Sequence, residues 1–143
     1  MTRADPARGG VRRRARSLLA EHGIQPTAQR IRIAELLFAC DQHLAAEQVI
    51  RRLGEDGARI SKATVYNTLN LFAGKGLLKS LHLERERAMF DSNTAPHHHF
   101  HVEGTGELID VPTGAVEFSR LPPLPPGTER VSVEVVIRVR RPR

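Results

Sequence analysis

The spacing of apolar residues changes near Gly76, from a helical period before it to an alternating period after it. Before Gly76, apolar residues recur every three or four positions in segments separated by Gly, Pro and Ser, which indicates several short helices. After Gly76, apolar and polar residues alternate in short runs, which is typical of strands. A chain of 143 residues has room for one ordinary domain or two small ones. The pattern therefore predicts an α+β fold whose first half is helical.

Four short helices are predicted before Gly76, over about residues 11–22, 27–40, 45–53 and 61–74. Glycine follows the first and the fourth, and a hydroxyl side chain precedes or opens the second and the fourth, as expected for helix caps. The third begins at an alanine, so its N-terminal cap is predicted to be weak.

The first predicted helix has an apolar side and a basic side. The apolar side comprises Val11, Ala15, Leu18, Leu19 and His22. The basic side comprises Arg12, Arg13, Arg14 and Arg16. Residues 1–90 hold 16 Lys/Arg against 9 Asp/Glu, whereas residues 91–143 hold 6 against 7. This asymmetry favours a polyanion as the partner of the first half, with the arginines on phosphates, although a generally basic surface is an alternative.

The fourth predicted helix has the composition of a helix that reads DNA. Val65, Leu69 and Phe72 would face inward, and small, amide and basic side chains would face outward. Asparagine can read adenine, and a tyrosine ring can pack on a thymine methyl group. An ordinary surface helix is the alternative. The candidate DNA-binding residues on this helix are Lys62, Thr64, Tyr66, Asn67 and Asn70.

A predicted hairpin follows the helices. Residues 77–83 and 87–91 alternate between apolar and polar and are joined by a charged turn. Helices followed by such a hairpin are the order of a winged helix-turn-helix. We therefore predict a winged-helix DNA-binding domain over residues 11–91, preceded by a disordered arm over residues 1–10.

The second half, residues 92–143, is predicted to be a small α/β dimerisation domain. Its elements would be strands over 97–102 and 107–111, a short helix over 113–119, an extended proline-rich linker over 121–127 and a strand over 130–140. The last strand is the most regular, with five apolar side chains alternating on one face. A lone apolar strand invites aggregation, so we expect it to pair within a small sheet and across a homodimer interface.

Cys40 is the single cysteine of the chain. One cysteine excludes an internal disulfide and a structural zinc site built from four cysteines. Its place on the apolar stripe of the second helix predicts that it is buried. No apolar run approaches the roughly 20 residues of a membrane span, and the N-terminus lacks the apolar stretch of a secretory signal. A cytoplasmic protein without membrane contact is therefore expected.

Four histidines lie within five residues, at His97, His98, His99 and His101. On a strand, alternate residues share a face, so the first, third and fourth of these would point one way and His98 the other. Neutral imidazoles suit Fe, Mn, Zn, Co and Ni, and carboxylates complete such coordination shells. Asp91 and Asp110 flank the cluster. A solvated histidine-rich turn is the alternative, but the density of the cluster favours metal or haem.

Several separated motifs resemble, in order, those of the ferric uptake regulator family. They are QPTAQR (25–30), HLAAE (43–47), ATVYNTL (63–69), FD (90–91) and HHH (97–99). The resemblance covers about residues 11–140. Within that family, the chain looks closest to the iron response regulators. The segments that carry this likeness are HHHF (97–100), ELIDVP (107–112), the proline-rich linker (121–127) and the basic run VVIRVRR (135–141).

The resemblance implies a dimeric, iron-responsive transcription regulator, a repressor of the winged-helix type that binds a double-stranded DNA operator and controls genes of iron and haem homeostasis. It implies a regulatory divalent metal, Fe²⁺ or Mn²⁺ with Zn²⁺ as a substitute in vitro. By position, the ligands would be His43, Asp91, His97, His99 and Asp110. Occupancy of a site with donors from both halves would alter DNA affinity.

The sequence departs from the family pattern at three points. Val102 and Thr105 stand where many members have a Cys-x-x-Cys pair, so the structural zinc is expected to be absent. Cys40 is followed by Asp41, so the haem-binding Cys-Pro motif of some iron response regulators is missing. Asn67 stands where many ferric uptake regulators have Arg, which implies a different operator preference.

Haem stays open as an alternative signal, with a protein of the haem pathway as a further partner. A haem, or a second metal, would have to use His98, His101 and Glu117. The sequence leaves open whether the ion or haem is the physiological signal and whether the bound or the free form binds DNA.

An enzyme is the main rival to a regulator. The histidines at 97, 99 and 101 match the spacing of histidine-triad hydrolases, but His98 and Glu103 stand where such motifs have apolar residues. Neither a glycine-rich phosphate loop nor a plausible nucleophile accompanies them. A storage protein for metal or haem would leave the basic half unexplained. The chain is therefore predicted not to be an enzyme.

Overall fold

The computed structural model describes residues 6–84 and 87–142 and divides the chain into two compact units, one ending at Thr94 and the other beginning at Ala95. The boundary predicted from sequence lay after residue 91. The first unit contains α1 (Pro6–Glu21), α2 (Ala28–Leu37), β1 (His43–Ala45), α3 (Ala46–Glu55), α4 (Lys62–Gly74), β2 (Lys79–Glu84) and β3 (Arg87–Asp91). The second contains β4 (His98–Val102), β5 (Leu108–Val111), a 3₁₀ turn (Thr113–Ala115) and β6 (Val136–Val139).

Helix α1 begins earlier than predicted, at Pro6. A proline at the first helical position has its φ angle already set for a helix and lacks an N–H that would have no partner there. The prediction of a disordered arm over residues 1–10 is therefore wrong for residues 6–10, and residues 1–5 lie outside the described residues. Val11 is 40% exposed, which corrects its predicted place on the inner side. Ala15 and Leu19 carry the buried side of this helix.

Side-chain caps fix the starts of the next three helices. The Thr27 hydroxyl accepts a hydrogen bond from the Arg30 amide at the start of α2, and the Ser61 hydroxyl accepts one from the Thr64 amide at the start of α4. Helix α3 has Ala45 at the cap position, but the Gln48 side chain reaches back and accepts from the Ala45 amide over 2.8 Å. This reciprocal half of a capping box offsets the missing hydroxyl.

The core of the first unit lies among the four helices and the sheet. Its largest fully buried side chains include Phe72, Leu19, Ile33, Leu37 and Leu69. The predicted inward side of α4 is confirmed, because Val65, Leu69 and Phe72 are all fully buried.

The first unit also contains a three-stranded antiparallel sheet in the order β1-β3-β2. Strand β3 has the predicted bounds, whereas β2 begins at Lys79 because Leu77 and Leu78 pack into the core after the turn at Gly76, whose φ is +79°. Strand β1 was not predicted. The helices and the hairpin of β2 and β3 that follows them form the winged helix-turn-helix predicted from the sequence.

The second unit has a sheet in the order β5-β4-β6, with β6 parallel to β4. The strand predicted over residues 130–140 is reduced to Val136–Val139, because β4 pairs with it only from His99 to Val102. Val131 is 94% exposed. The helix predicted over 113–119 is a single 3₁₀ turn.

Candidate functional site

His43 and Asp91 face each other across neighbouring strands of the first unit. They are register partners on β1 and β3, and His43 Nε2 lies 3.2 Å from Asp91 Oδ2. Asp91 is fully buried, and the His43 side chain is 12% exposed. A buried carboxylate needs a cationic or donating partner, and this imidazole is one such partner.

The residues around this pair hold its backbone in place. The Asn93 amide donates to Asp91 Oδ1 over 2.8 Å. The Gln42 amide donates to Ser92 Oγ over 3.0 Å, and that hydroxyl donates to the Cys40 carbonyl over 3.2 Å. These supports were not predicted from the sequence. The Asp-Ser-Asn run after β3 is a turn signal that could have indicated the bond to Asp91.

Asp110 meets two histidines within the second unit. His99 and Asp110 are register partners on β4 and β5. Asp110 Oδ1 lies 3.3 Å from His97 Nε2 and 3.5 Å from His99 Nε2. The two imidazole rings pack edge to face with centroids 4.4 Å apart. Both histidines are buried, whereas Asp110 is partly exposed.

The tautomer of His97 follows from its second nitrogen. His97 Nδ1 lies 2.6 Å from the Ala95 carbonyl oxygen. A carbonyl oxygen only accepts, so Nδ1 carries the proton and donates. In the neutral ring, Nε2 is then a lone-pair donor directed toward Asp110. Metal-binding histidines use this same arrangement, with the outer nitrogen bonded to a carbonyl group.

A lone pair on His97 Nε2 and the Asp110 carboxylate repel each other unless positive charge lies between them. A proton on the ring can supply that charge, and so can a divalent cation. The donors are imidazole nitrogens and carboxylate oxygens, the set that borderline first-row metals accept. The residues present therefore fit a metal ion. Within the second unit, His97, His99 and Asp110 each offer one ligand atom, and within the first unit His43 and Asp91 each offer one.

The residues predicted to bind haem or a second metal are arranged differently. His98 is buried, its Nδ1 accepts a hydrogen bond from the Val135 amide over 2.9 Å, and its ring packs edge to face on Phe118. This bond fastens the chain before β6 to β4, which is a structural role. His101 is buried and Glu117 is exposed. Within residues 6–84 and 87–142, no candidate group of three or more metal donors includes these residues.

Cys40 is exposed, which corrects its predicted burial. Helix α2 ends at Leu37, so the apolar stripe of that helix does not continue as far as residue 40.

The candidate DNA-binding residues of α4 lie on its outer side. Lys62, Tyr66, Asn67 and Asn70 are exposed. Thr64 is half-buried and its hydroxyl accepts from the Ser61 hydroxyl, so this side chain belongs to the helix cap. The four predicted arginines of α1, at 12, 13, 14 and 16, are also exposed.

The Tyr66 hydroxyl donates to Glu47 Oε1 on α3 over 2.7 Å. This hydrogen bond, followed by partial desolvation and the charge of Glu47, raises the pKa of Tyr66 above its ordinary value. The role of Glu47 was not predicted from the sequence, because no local pattern connects residues 19 positions apart.

Comparison with known proteins identifies one family. The Ferric uptake regulator family matches residues 21–120. The peroxide-responsive repressor PerR of Staphylococcus aureus (strain Mu50) is 35% identical over 92 residues, which span 64% of this chain and 62% of the relative. The match thus covers less than two thirds of that repressor.

Two solved structures resemble the fold of most of the chain. The ferric uptake regulator from Pseudomonas aeruginosa with manganese has a TM-score of 0.71 and 27% identity, over 90% of this chain and 98% of that one. The ferric uptake regulator from Francisella tularensis with iron has a TM-score of 0.68 and 23% identity, over 83% and 92%. At the lower identity, the second comparison concerns the fold alone.

Proposed function

The chain belongs to the ferric uptake regulator family, and from this premise we propose that it is a metal-sensing transcription regulator that binds DNA as a homodimer. The narrower assignment to the iron response regulators, with control of iron and haem genes, stays a prediction. Acting on chromosomal DNA, such a repressor would work in the cytoplasm. Family membership also argues against the histidine-triad hydrolase considered above.

The observation that carries the sensing role is the geometry at Asp110. His97 and His99 both direct Nε2 to one carboxylate oxygen, and His97 is held as a lone-pair donor by the Ala95 carbonyl. We propose that these three side chains hold a divalent ion, Fe²⁺ or Mn²⁺, together with the buried pair His43 and Asp91. The ion would supply the positive charge that the facing acceptors need. Recruitment of donors from both units would make DNA affinity depend on metal occupancy.

We propose α4 as the DNA-recognition helix, with the arginines of α1 contacting the phosphate backbone. Asn67 and Asn70 offer bidentate amides for adenine, and Lys62 offers charge near the helix start. A dimer would place two such helices in successive major grooves about one helical turn apart, on a roughly palindromic operator.

The proposed homodimer is supported by an exposed apolar stripe on the sheet of the second unit. Phe100, Ile109 and Ile137 are register partners across β5, β4 and β6 and therefore lie on one face. Ile109 is 42% and Ile137 is 37% exposed. A second copy would remove this apolar stripe from water.

The test uses the full chain, stripped of metal by a chelator. Random DNA duplexes are selected for binding to the protein, once with Mn²⁺ and once with chelator. The protein and the enriched duplex are then titrated with Mn²⁺, anaerobic Fe²⁺, Zn²⁺ or haemin, while DNA binding and absorbance are followed. We expect enrichment of a palindrome and at least a tenfold change of Kd with metal, a typical allosteric coupling. A haemin absorbance shift that depends on His98 and His101 would instead favour haem.

Asp110→Asn is the matched perturbation, because it keeps the shape of the side chain and removes its charge. It should abolish the metal response and leave the fold intact. Asp56→Asn, at an exposed carboxylate beside Arg32, is the control and should respond to metal as the wild type does. Specific DNA binding that ignores all four additives would refute the sensing role. A normal metal response in Asp110→Asn would refute the assignment of the site.

A further inference from the structure

Tyr66 and Glu47 meet on the surface of the first unit, although they come from different helices. Tyr66 lies on the outer side of α4, and Glu47 lies in the first turn of α3. The Tyr66 hydroxyl donates to Glu47 Oε1 over 2.7 Å, while the residue keeps 39% of its surface exposed. The ring therefore remains accessible while its hydroxyl is held by the neighbouring helix.

The chemistry of this contact suits a tether. A hydrogen bond to an ionised acceptor is shorter and stronger than one between neutral groups. The carboxylate is favoured at the start of α3 because the helix dipole is positive there. A tyrosine side chain has two rotatable torsions, so a bond at its tip restricts the orientation of the whole ring.

We propose that Glu47 is a positioning residue for DNA recognition. It holds the Tyr66 ring in the orientation in which the ring contacts a base, and Glu47 does not contact the base. This inference rests on the proposed function of α4 as the reading helix. A ring that is already oriented loses less conformational freedom on binding. The carboxylate has a second effect, because its negative charge disfavours binding to phosphates of any sequence. This second effect weakens binding to all DNA alike, so only the orientation of the ring raises the preference for the operator over other DNA.

The chain offers a direct spectroscopic test, because Tyr66 is its single tyrosine and it has no tryptophan. Tyrosinate absorbance therefore reports this one phenol. The hydrogen bond to Glu47 raises the pKa of Tyr66, so the titration midpoint of the wild type should lie above that of Glu47→Ala. Glu47→Gln keeps an acceptor oxygen and should lie between the two. Equal midpoints in the wild type and Glu47→Ala would overturn the tether.

The DNA measurement separates the tether from simple charge repulsion. Kd is measured for the selected duplex and for a scrambled duplex, with Tyr66→Phe, Glu47→Ala, Glu47→Gln and the double variant Tyr66→Phe/Glu47→Ala. We expect Glu47→Ala to lower the ratio of specific to non-specific affinity by about two- to tenfold per reading helix, the usual cost of ordering one side chain. Glu47→Gln should retain most of the preference. The double variant should lose no more than the single variants, because both remove the same bond.

Glu55→Ala is the matched control, since it removes one exposed carboxylate from the other end of α3, where Glu55 faces Arg51. Equal effects of Glu47→Ala, Glu47→Gln and Glu55→Ala would show that charge alone acts and would refute the positioning role. Additive losses in the double variant would refute it too. If the wild type selects no DNA sequence, the proposed function and this inference both fail, although the titration midpoint of Tyr66 would still be higher in the wild type than in Glu47→Ala. If the wild type selects a sequence and the midpoints are equal, the inference alone fails.

Discussion

Gln42 connects three elements of the first unit, and its removal should destabilise the fold by a predictable amount. Its Nε2 donates to the carbonyls of Leu36 and Leu37, over 2.7 and 3.1 Å, at the end of α2. Its Oε1 accepts from Arg52 Nη1 on α3 over 3.1 Å. Gln42→Ala removes these three bonds but keeps the bond from the backbone amide to Ser92.

The expected loss follows from the number of bonds and their partial burial. A hydrogen bond contributes about 0.5–1.5 kcal/mol net, and bonds to charged groups contribute more. Gln42 is half-buried, so water replaces part of what the two carbonyls lose. We therefore expect Gln42→Ala to lower the free energy of unfolding by about 1.5–3 kcal/mol.

The assay is urea unfolding of the full chain, at one protein concentration and in chelator, with linear extrapolation to water. Arg52→Met removes only one of the three bonds, the one with a charged donor, and should cost about 1.5 kcal/mol. Gln42→Glu keeps the acceptor for Arg52 but turns a carboxylate toward the two helix-end carbonyls, so it should be at least as unstable as Gln42→Ala. These bonds would be shown not to stabilise the unit by either of two results. One is a free energy of unfolding of Gln42→Ala within about 0.5 kcal/mol of the wild-type value, and the other is a free energy of unfolding of Gln42→Glu above the wild-type value.

Two further predictions concern the half of the chain that is proposed to bind DNA. Replacing Arg12, Arg13, Arg14 and Arg16 by Gln should weaken binding to all DNA sequences. It should also reduce the slope of log K against log salt by about 0.9 for each phosphate that is no longer neutralised. The slope is measured by fluorescence anisotropy between roughly 50 and 200 mM salt, and an unchanged slope would exclude α1 from the DNA interface. Ser61→Ala should lower the free energy of unfolding by about 1 kcal/mol, because the Thr64 amide no longer has its capping acceptor. Ser61→Asp keeps an acceptor and should retain that stability in the same urea assay, so equal destabilisation of both variants would contradict the capping role.

The sequence predicted well the features that depend on neighbours along the chain. The inward side of α4 was predicted correctly because a helix repeats its faces every few residues, and the cap at Ser61 because a hydroxyl satisfies an amide three residues away. Spacing alone placed the histidines at 97, 99 and 101 on one face, and the first two of them do share one carboxylate partner. His43, Asp91 and Asp110 were named through the family resemblance, and their role as metal ligands stays a prediction.

Several of the features that were not predicted depend on residues far apart in the sequence. Strand β1 is three residues long and exists because β3 supplies its hydrogen-bond partners. Residues 130–140 alternate throughout, yet only Val136–Val139 form a strand, because a strand is as long as the edge it pairs with. The burial of Cys40 was predicted from a stripe that the helix does not extend far enough to form.

The helical first half, the strand-forming second half, the family motifs and the histidine-rich run follow from residue types and local spacing, which the sequence states directly. Tertiary structure alone decided that His43 faces Asp91, that His99 faces Asp110, and that Glu47 reaches Tyr66. Each of these contacts joins atoms whose separation depends on how the backbone turns between them. Local propensity determines which elements form, but long-range pairing determines which side chains meet.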